Sequence, residues 1–408
     1  MSIFDALHGI TGKPRVAIVA AGVVSPLGFG LKETLHSLRS ATDCVSAVSR
    51  FDVSHCRCKT AAQIPDQRLL VYRQKGRKNA RLHRASHMMT TALAELLEGD
   101  QEFKPEVTVI GTTSGGMSFG EDYYRALHRH EHLRRSAEWI ANYPPQKPVL
   151  DAQNAFGIST PCFVIANACA SGTNAIGRAF ECIQSGKYER VLTGGYDALS
   201  ELVFVGFDSL QAATPEKCRP FDRDRTGMVI GEGAALLALE NLESARKRKA
   251  TILAEIIGYG ISTDNHHLTQ PDPSGSGPRR AMEQALQSAG CAPERVDYIN
   301  AHGTATPFND AAEGKAISEL FGRVPVSSTK SMIGHSLGAA GAIEAVICLL
   351  ALQSQFLPPN INFRTPDPDL DLNIVANESR NAKIDIVLSN SFGFGGTNAS
   401  VLIQKAAA

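Results

Sequence analysis

Cys162-Phe163-Val164-Ile165-Ala166-Asn167-Ala168-Cys169-Ala170-Ser171-Gly172-Thr173, continued to Phe180, is the stretch from which the fold is read. A short apolar run passes into a turn of small residues and then into helical apolar spacing, which describes strand, turn, helix. The same order returns from Val324. An apolar run over 324–328 enters the turn Lys330-Ser331-Met332-Ile333-Gly334-His335, and helical spacing resumes at Gly338. Two such units point to two related halves. They meet near residue 250, where 244–249 is polar and basic, giving an N-terminal half of 1–250 and a C-terminal half of 251–408.

Apolar runs of strand type recur at 16–24, 107–111, 191–195, 253–257, 296–300 and 384–389. Helical spacing lies between them at 87–97, 173–185, 277–289 and 338–352. Alternation of this kind describes an α/β protein with largely buried sheets. Gln270-Pro271-Asp272-Pro273-Ser274-Gly275-Ser276-Gly277 is a loop by composition.

The 408 residues are 43% hydrophobic and 20% charged, enough apolar material for a large core. Lysine plus arginine and aspartate plus glutamate both number 41. A zero balance argues against a dedicated nucleic-acid binder. The apolar runs near 16–27 and 345–352 read as too short to span a bilayer, and the start lacks the basic and apolar regions of a signal peptide. Nine cysteines, an odd number in a long chain, do not form a disulfide framework and suit a thiol-reduced, cytoplasmic protein.

Cys169 falls where a strand-end turn opens a helix. The positive end of the helix dipole and free backbone N–H groups favour thiolate over thiol there. By itself a free cysteine is more often a buried structural residue. Two histidines shift that balance. His302 lies in Asn300-Ala301-His302-Gly303-Thr304-Ala305-Thr306-Pro307, just past a strand, and His335 shares its turn with Lys330.

These segments, with Asn390-Ser391-Phe392-Gly393-Phe394-Gly395-Gly396-Thr397-Asn398 and Arg219-Pro220-Phe221-Asp222, resemble the signature of the β-ketoacyl-acyl-carrier-protein synthases of the type I/II class. The motifs stand in family order across nearly the whole chain. The resemblance implies a thiolase-like fold, two related α/β halves forming a five-layered αβαβα core, and a homodimer or heterodimer. It implies that Cys169 takes an acyl group from an acyl carrier protein as a thioester. A malonyl carrier protein then loses CO2, and the carbanion attacks that thioester. His302 and His335 suit the task of donating to the enolate oxygen. An oxyanion hole resembles one built from the N–H groups of Cys169 and Phe394, with Gly393, Gly395 and Gly396 freeing that loop to open. Lys330 holds the local charge and orients His335, or forms a structural ion pair.

Thr304 and Thr306 match positions that bind the phosphopantetheine arm, against an alternative reading as turn-capping hydroxyls. Glu344 matches a glutamate that in relatives helps hold a structural monovalent cation with Asn300, Ser389 and Asn390. Asp310 and Glu313 match structural acidic positions. Arg73, Lys75, Arg77, Lys78, Arg81 and Arg84 form a basic cluster suited to an acidic carrier, or an ordinary solvated helix face. His128 and His132 share a helix face without further ligands nearby, and His55-Cys56-Arg57-Cys58 lacks a second cysteine pair at zinc spacing. No glycine run completes a dinucleotide or Walker motif, so no cofactor is expected beyond the phosphopantetheine that the carrier brings.

The class has close alternatives. Thiolases work with a second cysteine in the last turn, which 390–398 lacks, and chain-length-factor subunits lack the nucleophile. An elongating synthase fits best, with a catalytically silent partner subunit as the competing reading. Ser114 stands where many fatty-acid synthases carry a bulkier apolar residue beside the acyl pocket, near Phe207. The segment before Arg219 is also short. Both features suit an unusual or unsaturated chain.

Overall fold

A computed structural model of the chain describes residues 12–70, 82–130 and 137–406. Ten strands carry the architecture. Five belong to the first half: β1 (Val16–Ser25), β2 (Val107–Gly111), β3 (Cys162–Ile165), β4 (Arg190–Asp197) and β5 (Gly233–Asn241). Five belong to the second: β6 (Ala254–Thr263), β7 (Tyr298–Asn300), β8 (Pro325–Ser327), β9 (Ile386–Gly393) and β10 (Thr397–Lys405).

The two half-sheets repeat one topology. The first runs β3-β2-β4-β5-β1 and the second β8-β7-β9-β10-β6, each strand answering the one five places earlier. Pairing directions match as well. β2 is parallel to β3 and β4, while β4 with β5 and β5 with β1 are antiparallel. β7 is parallel to β8 and β9, while β9 with β10 and β10 with β6 are antiparallel. An antiparallel ladder between β1 and β6 joins the halves.

Helices complete five layers. α1 (Arg84–Gly99) and α2 (Lys147–Ala155) cover the outside of the first half-sheet. α4 (Ser276–Ala289) and α5 (Pro307–Phe321) cover the outside of the second. Between the sheets, α3 (Ser171–Gln184) packs on α6 (Ala340–Ser354), and both touch strands of each half. This is the thiolase-like αβαβα arrangement. One apolar cluster draws Ile176 and Phe180 from α3, Ile343 and Val346 from α6, Leu237 from β5 and Val401 from β10. The halves therefore share an interior, and each large side chain buried there contributes about 1.5–3 kcal/mol.

α6 is apolar on every face because it is enclosed on every face. With the turn before it, Leu337–Ser354 is long and apolar enough by length and composition to cross a membrane, yet 89% of it is buried in protein. This corrects the expected shortness of that apolar run. Glycine lets the central helices approach. A Cβ at Gly172 would lie 2.6 Å from the Gly338 carbonyl oxygen, and one at Gly341 would lie 2.0 Å from Thr173 Oγ1. That crossing places the start of α3, after Cys169, against the start of α6, after His335.

Candidate active site

Cys169 lies in a 3₁₀ turn, Ala168–Ala170, that runs directly into α3. Ala168 takes a left-handed φ of 57°, a conformation costly for a residue with a Cβ. The turn is held by its own chemistry. Ser171 Oγ accepts from the Asn167 N–H at 2.9 Å and donates to the Ala168 carbonyl at 2.6 Å. Across the junction, Thr173 Oγ1 and Ser391 Oγ hydrogen-bond at 2.8 Å. The cysteine is 6% exposed. Burial pushes its thiol up to about 12, against the pull of Lys330 and of the backbone N–H groups of Phe394 and of Cys169 itself. The expected resting thiolate is thus corrected: desolvation outweighs the cation and the dipoles.

His302 follows β7, and the turn is clamped by a buried carboxylate. Glu313 on α5 accepts from the His302 and Gly303 N–H groups, both at 2.8 Å. Asp310, one turn earlier, accepts from Phe221 N–H at 2.7 Å and Ala305 N–H at 3.2 Å. Both acids are buried and accept backbone N–H groups. Burial pushes the Glu313 carboxyl up to about 7. Glu313→Ala strands two buried N–H groups at about 1–3 kcal/mol each. Thermal unfolding of that variant should show a clear loss of stability.

His335 is fully buried, and its backbone is pinned on both sides. Its N–H donates to Val229 O at 2.7 Å, and its carbonyl accepts from Gly231 N–H at 2.9 Å. The rings of His302 and His335 meet edge to face with centroids 5.2 Å apart. Among the described residues, neither ring nitrogen of His335 nor Nδ1 of His302 has a hydrogen-bond partner. Burial, reinforced by Lys330, holds both imidazoles well below the ordinary histidine range. They are therefore neutral N–H donors at neutral pH. Lys330 pairs with Glu344, both 1% exposed. Of the two sequence readings for Lys330, the ion pair is the one with a bond behind it.

These groups open onto one cleft of about 340 Å³, lined among others by Cys169, Phe207, His302, Thr304, Thr306, His335, Gly393, Phe394 and Gly396. Thr304 and Thr306 hydrogen-bond to each other at 2.9 Å on its wall. Phe207 packs on Phe394 with ring centroids 5.5 Å apart. Gly393 permits the close approach of that loop, since a Cβ there would lie 3.1 Å from the Cys169 nitrogen. Gly395 and Gly396 both take positive φ. Phe392, which the sequence did not single out, stacks obliquely on His302 at 5.8 Å.

Several sequence readings fall elsewhere. Ser114 does not line the cleft; its N–H and hydroxyl both donate to buried Asp197, at 2.8 and 2.7 Å. Arg73, Lys75, Arg77, Lys78 and Arg81 lie outside the described residues, as does His132. Arg84 is described, and it is no docking cation. It donates to buried Glu232 at 2.9 and 2.7 Å. Cys56 and Cys58 are buried in an apolar cluster with Phe204 and Met228. Of the four possible cation ligands, Asn300 Oδ1, Glu344 Oε2 and Ser389 Oγ are buried without a partner. Asn390 is occupied by Glu313 and Ser400. Among the described residues, no group of three His, Cys, Asp or Glu side chains is placed to hold a metal ion.

Comparison with known proteins adds to this geometry. Residues 13–245 match the beta-ketoacyl synthase N-terminal domain, and residues 253–364 match the beta-ketoacyl synthase C-terminal domain. The 3-oxoacyl-[acyl-carrier-protein] synthase 2 of Coxiella burnetii is 40% identical, covering 96% of this chain and 99% of that protein. The ishigamide ketosynthase/chain length factor structure superposes with a TM-score of 0.89 at 32% identity, covering 97% of this chain and 100% of that one. A type II polyketide ketosynthase, solved with its acyl-carrier protein and bound to the hexaketide, superposes with a TM-score of 0.87 at 27% identity, covering 97% and 100%.

Proposed function

The chain belongs to the β-ketoacyl synthase family, and from that membership we propose that Cys169, His302 and His335 carry out its condensation between a Cys-bound acyl chain and a malonyl group, both delivered on acyl carrier protein. It is an acyltransferase of the 3-oxoacyl-[acyl-carrier-protein] synthase kind. The observation that carries the residue assignment is the opening of all three side chains onto one cleft, beside the Phe394 loop.

In the first half-reaction the Cys169 sulfur attacks the carrier thioester. A new S–C bond forms, the carrier's pantetheine thiol leaves, and the proton given up by the buried cysteine ends on that thiol. The N–H groups of Cys169 and Phe394 hold the developing oxyanion. In the second, the C–C bond to the malonyl carboxylate breaks and CO2 departs. The electron pair remains as an enolate whose oxygen His302 and His335 stabilise as neutral donors. The enolate carbon attacks the Cys169 thioester. A C–C bond forms, the C–S bond breaks, and the sulfur leaves as a thiolate that takes its proton from solvent water. The product is a β-ketoacyl chain two carbons longer.

Thr304 and Thr306 would position the phosphopantetheine arm, and no step calls on a resident cofactor. A monovalent cation, if bound, would be held by Asn300, Ser389 and Glu344, and would supply charge to the free carboxylate oxygen beside Lys330. A second subunit of this fold, the same chain or a close relative, would sit at the open edge of β3, where Phe163 is 54% exposed. Nine free cysteines fit a reducing compartment such as the cytoplasm.

The test is to supply acyl and malonyl carrier-protein thioesters together. A β-ketoacyl product two carbons longer, with release of CO2, is expected. Absence of product from folded protein with every primer would favour the silent-partner reading, which the intact Cys169, His302 and His335 set opposes.

A further inference from the structure

Asp197 ends β4 at the junction of the two halves and is fully buried. Its carboxylate accepts five hydrogen bonds. Oδ1 takes Thr112 Oγ1 at 2.7 Å, Ser114 N–H at 2.8 Å and Ser114 Oγ at 2.7 Å. Oδ2 takes Thr113 N–H at 2.8 Å and Gly338 N–H at 2.7 Å. Four of these come from the turn that follows β2. The fifth comes from the other half, three residues past His335.

The pseudo-symmetry gives this carboxylate a counterpart. The turn after β2 corresponds to the turn after β7, which carries His302 and is clamped through two successive N–H groups by Glu313. Asp197 clamps the N-terminal turn in the same manner, through Thr113 and Ser114. It does one thing more by reaching across to Gly338. Packing there leaves no slack, since a Cβ on Gly338 would lie 2.5 Å from the Thr113 nitrogen. The cysteine turn packs against the Gly338 turn but has hydrogen bonds of its own, from Ser171 and through the Thr173–Ser391 bond. A carboxylate out of water, ringed by donors, is a rigid anchor while it stays ionised.

We propose that Asp197 is a positioning residue for the decarboxylation half-reaction, fixing from the N-terminal half the segment that carries His335 in the C-terminal half. This rests on the condensing-enzyme reading, in which His335 serves decarboxylation and Cys169 serves acyl transfer. Loss of the anchor loosens the His335 segment and leaves the cysteine turn held. Decarboxylation therefore suffers more than acylation, a split that general destabilisation would not produce.

The experiment compares wild type, Asp197→Asn and the double variant Thr112→Val/Ser114→Ala, each checked for folding by its thermal transition. In Asp197→Asn one acceptor oxygen becomes an NH2 group facing N–H donors. Malonyl carrier-protein decarboxylation should fall about 10- to 100-fold, as for a small misplacement of a reacting group. Acylation of Cys169, read by intact mass, should stay within about threefold. The double variant removes two hydroxyl donors and leaves the Gly338 bond, so its decarboxylation should stay within about threefold. Where Asp197→Asn does not accumulate folded, Asp197→Glu displaces the acceptors by one methylene and should show the same split. Parallel loss of both half-reactions, no loss, or an equal loss in the double variant would overturn the proposal. Wild type without decarboxylation would instead overturn the condensing-enzyme reading beneath it.

Discussion

Cys169→Ala loses acyl transfer and condensation by at least about 10³-fold, the scale on which removal of a nucleophile acts, while decarboxylation of malonyl carrier protein continues. The first effect follows because no other described thiol lines the cleft. The second follows because the donors to the enolate are imidazoles on separate turns. His302 is set by Glu313, and His335 by Val229 and Gly231, so neither turn depends on the sulfur. Removing a thiol held up to about 12 also removes no resting charge from the site. Radiolabelled CO2 release, measured beside product formation, reads both halves. Equal condensation by variant and parent would remove Cys169 from the chemistry.

His335→Ala and His302→Ala show the converse. Each should lose decarboxylation by about 10²- to 10³-fold, the range for removal of one oxyanion donor, and still accept an acyl group at Cys169. The pH dependence has a definite sign. A histidine held well below its ordinary value of 6.5 stays neutral as pH falls through 6.5 and protonates only at lower pH. Wild-type decarboxylation should therefore run level from pH 8 to pH 6. A fall centred near 6.5 would mean that an ordinary, solvated histidine controls the step. Unimpaired decarboxylation in both variants would remove the pair from the mechanism.

The strand-end turns were legible because each pairs a short apolar run with small residues and then a helix. The expected strands 107–111 and 162–165 coincide with β2 and β3. β5 was not legible. Gly-Ala-Ala-Leu-Leu-Ala-Leu-Glu-Asn has helix-forming composition, and only its place between β1 and β4 makes it a buried strand. α5 escaped for a related reason, since it buries Asp310, Glu313 and Gly314 and so shows no apolar stripe. In the site, the motifs marked Cys169, His302, His335 and the Phe394 loop. They did not mark Asp197, whose partners come from positions near 113 and 338 and leave no local pattern. The bond from the Ser114 hydroxyl to a buried carboxylate is one that no spacing reveals. The thiolate at Cys169 was expected from helix position alone, and burial reverses it.

The most direct test of the central claim is the intact mass of the folded protein after exposure to an acyl carrier-protein thioester. The account predicts one acyl group added to wild type and none to Cys169→Ala. Malonyl carrier protein should then discharge that adduct and yield a chain two carbons longer. An adduct of equal size on Cys169→Ala, or no adduct on wild type with any primer, would contradict it.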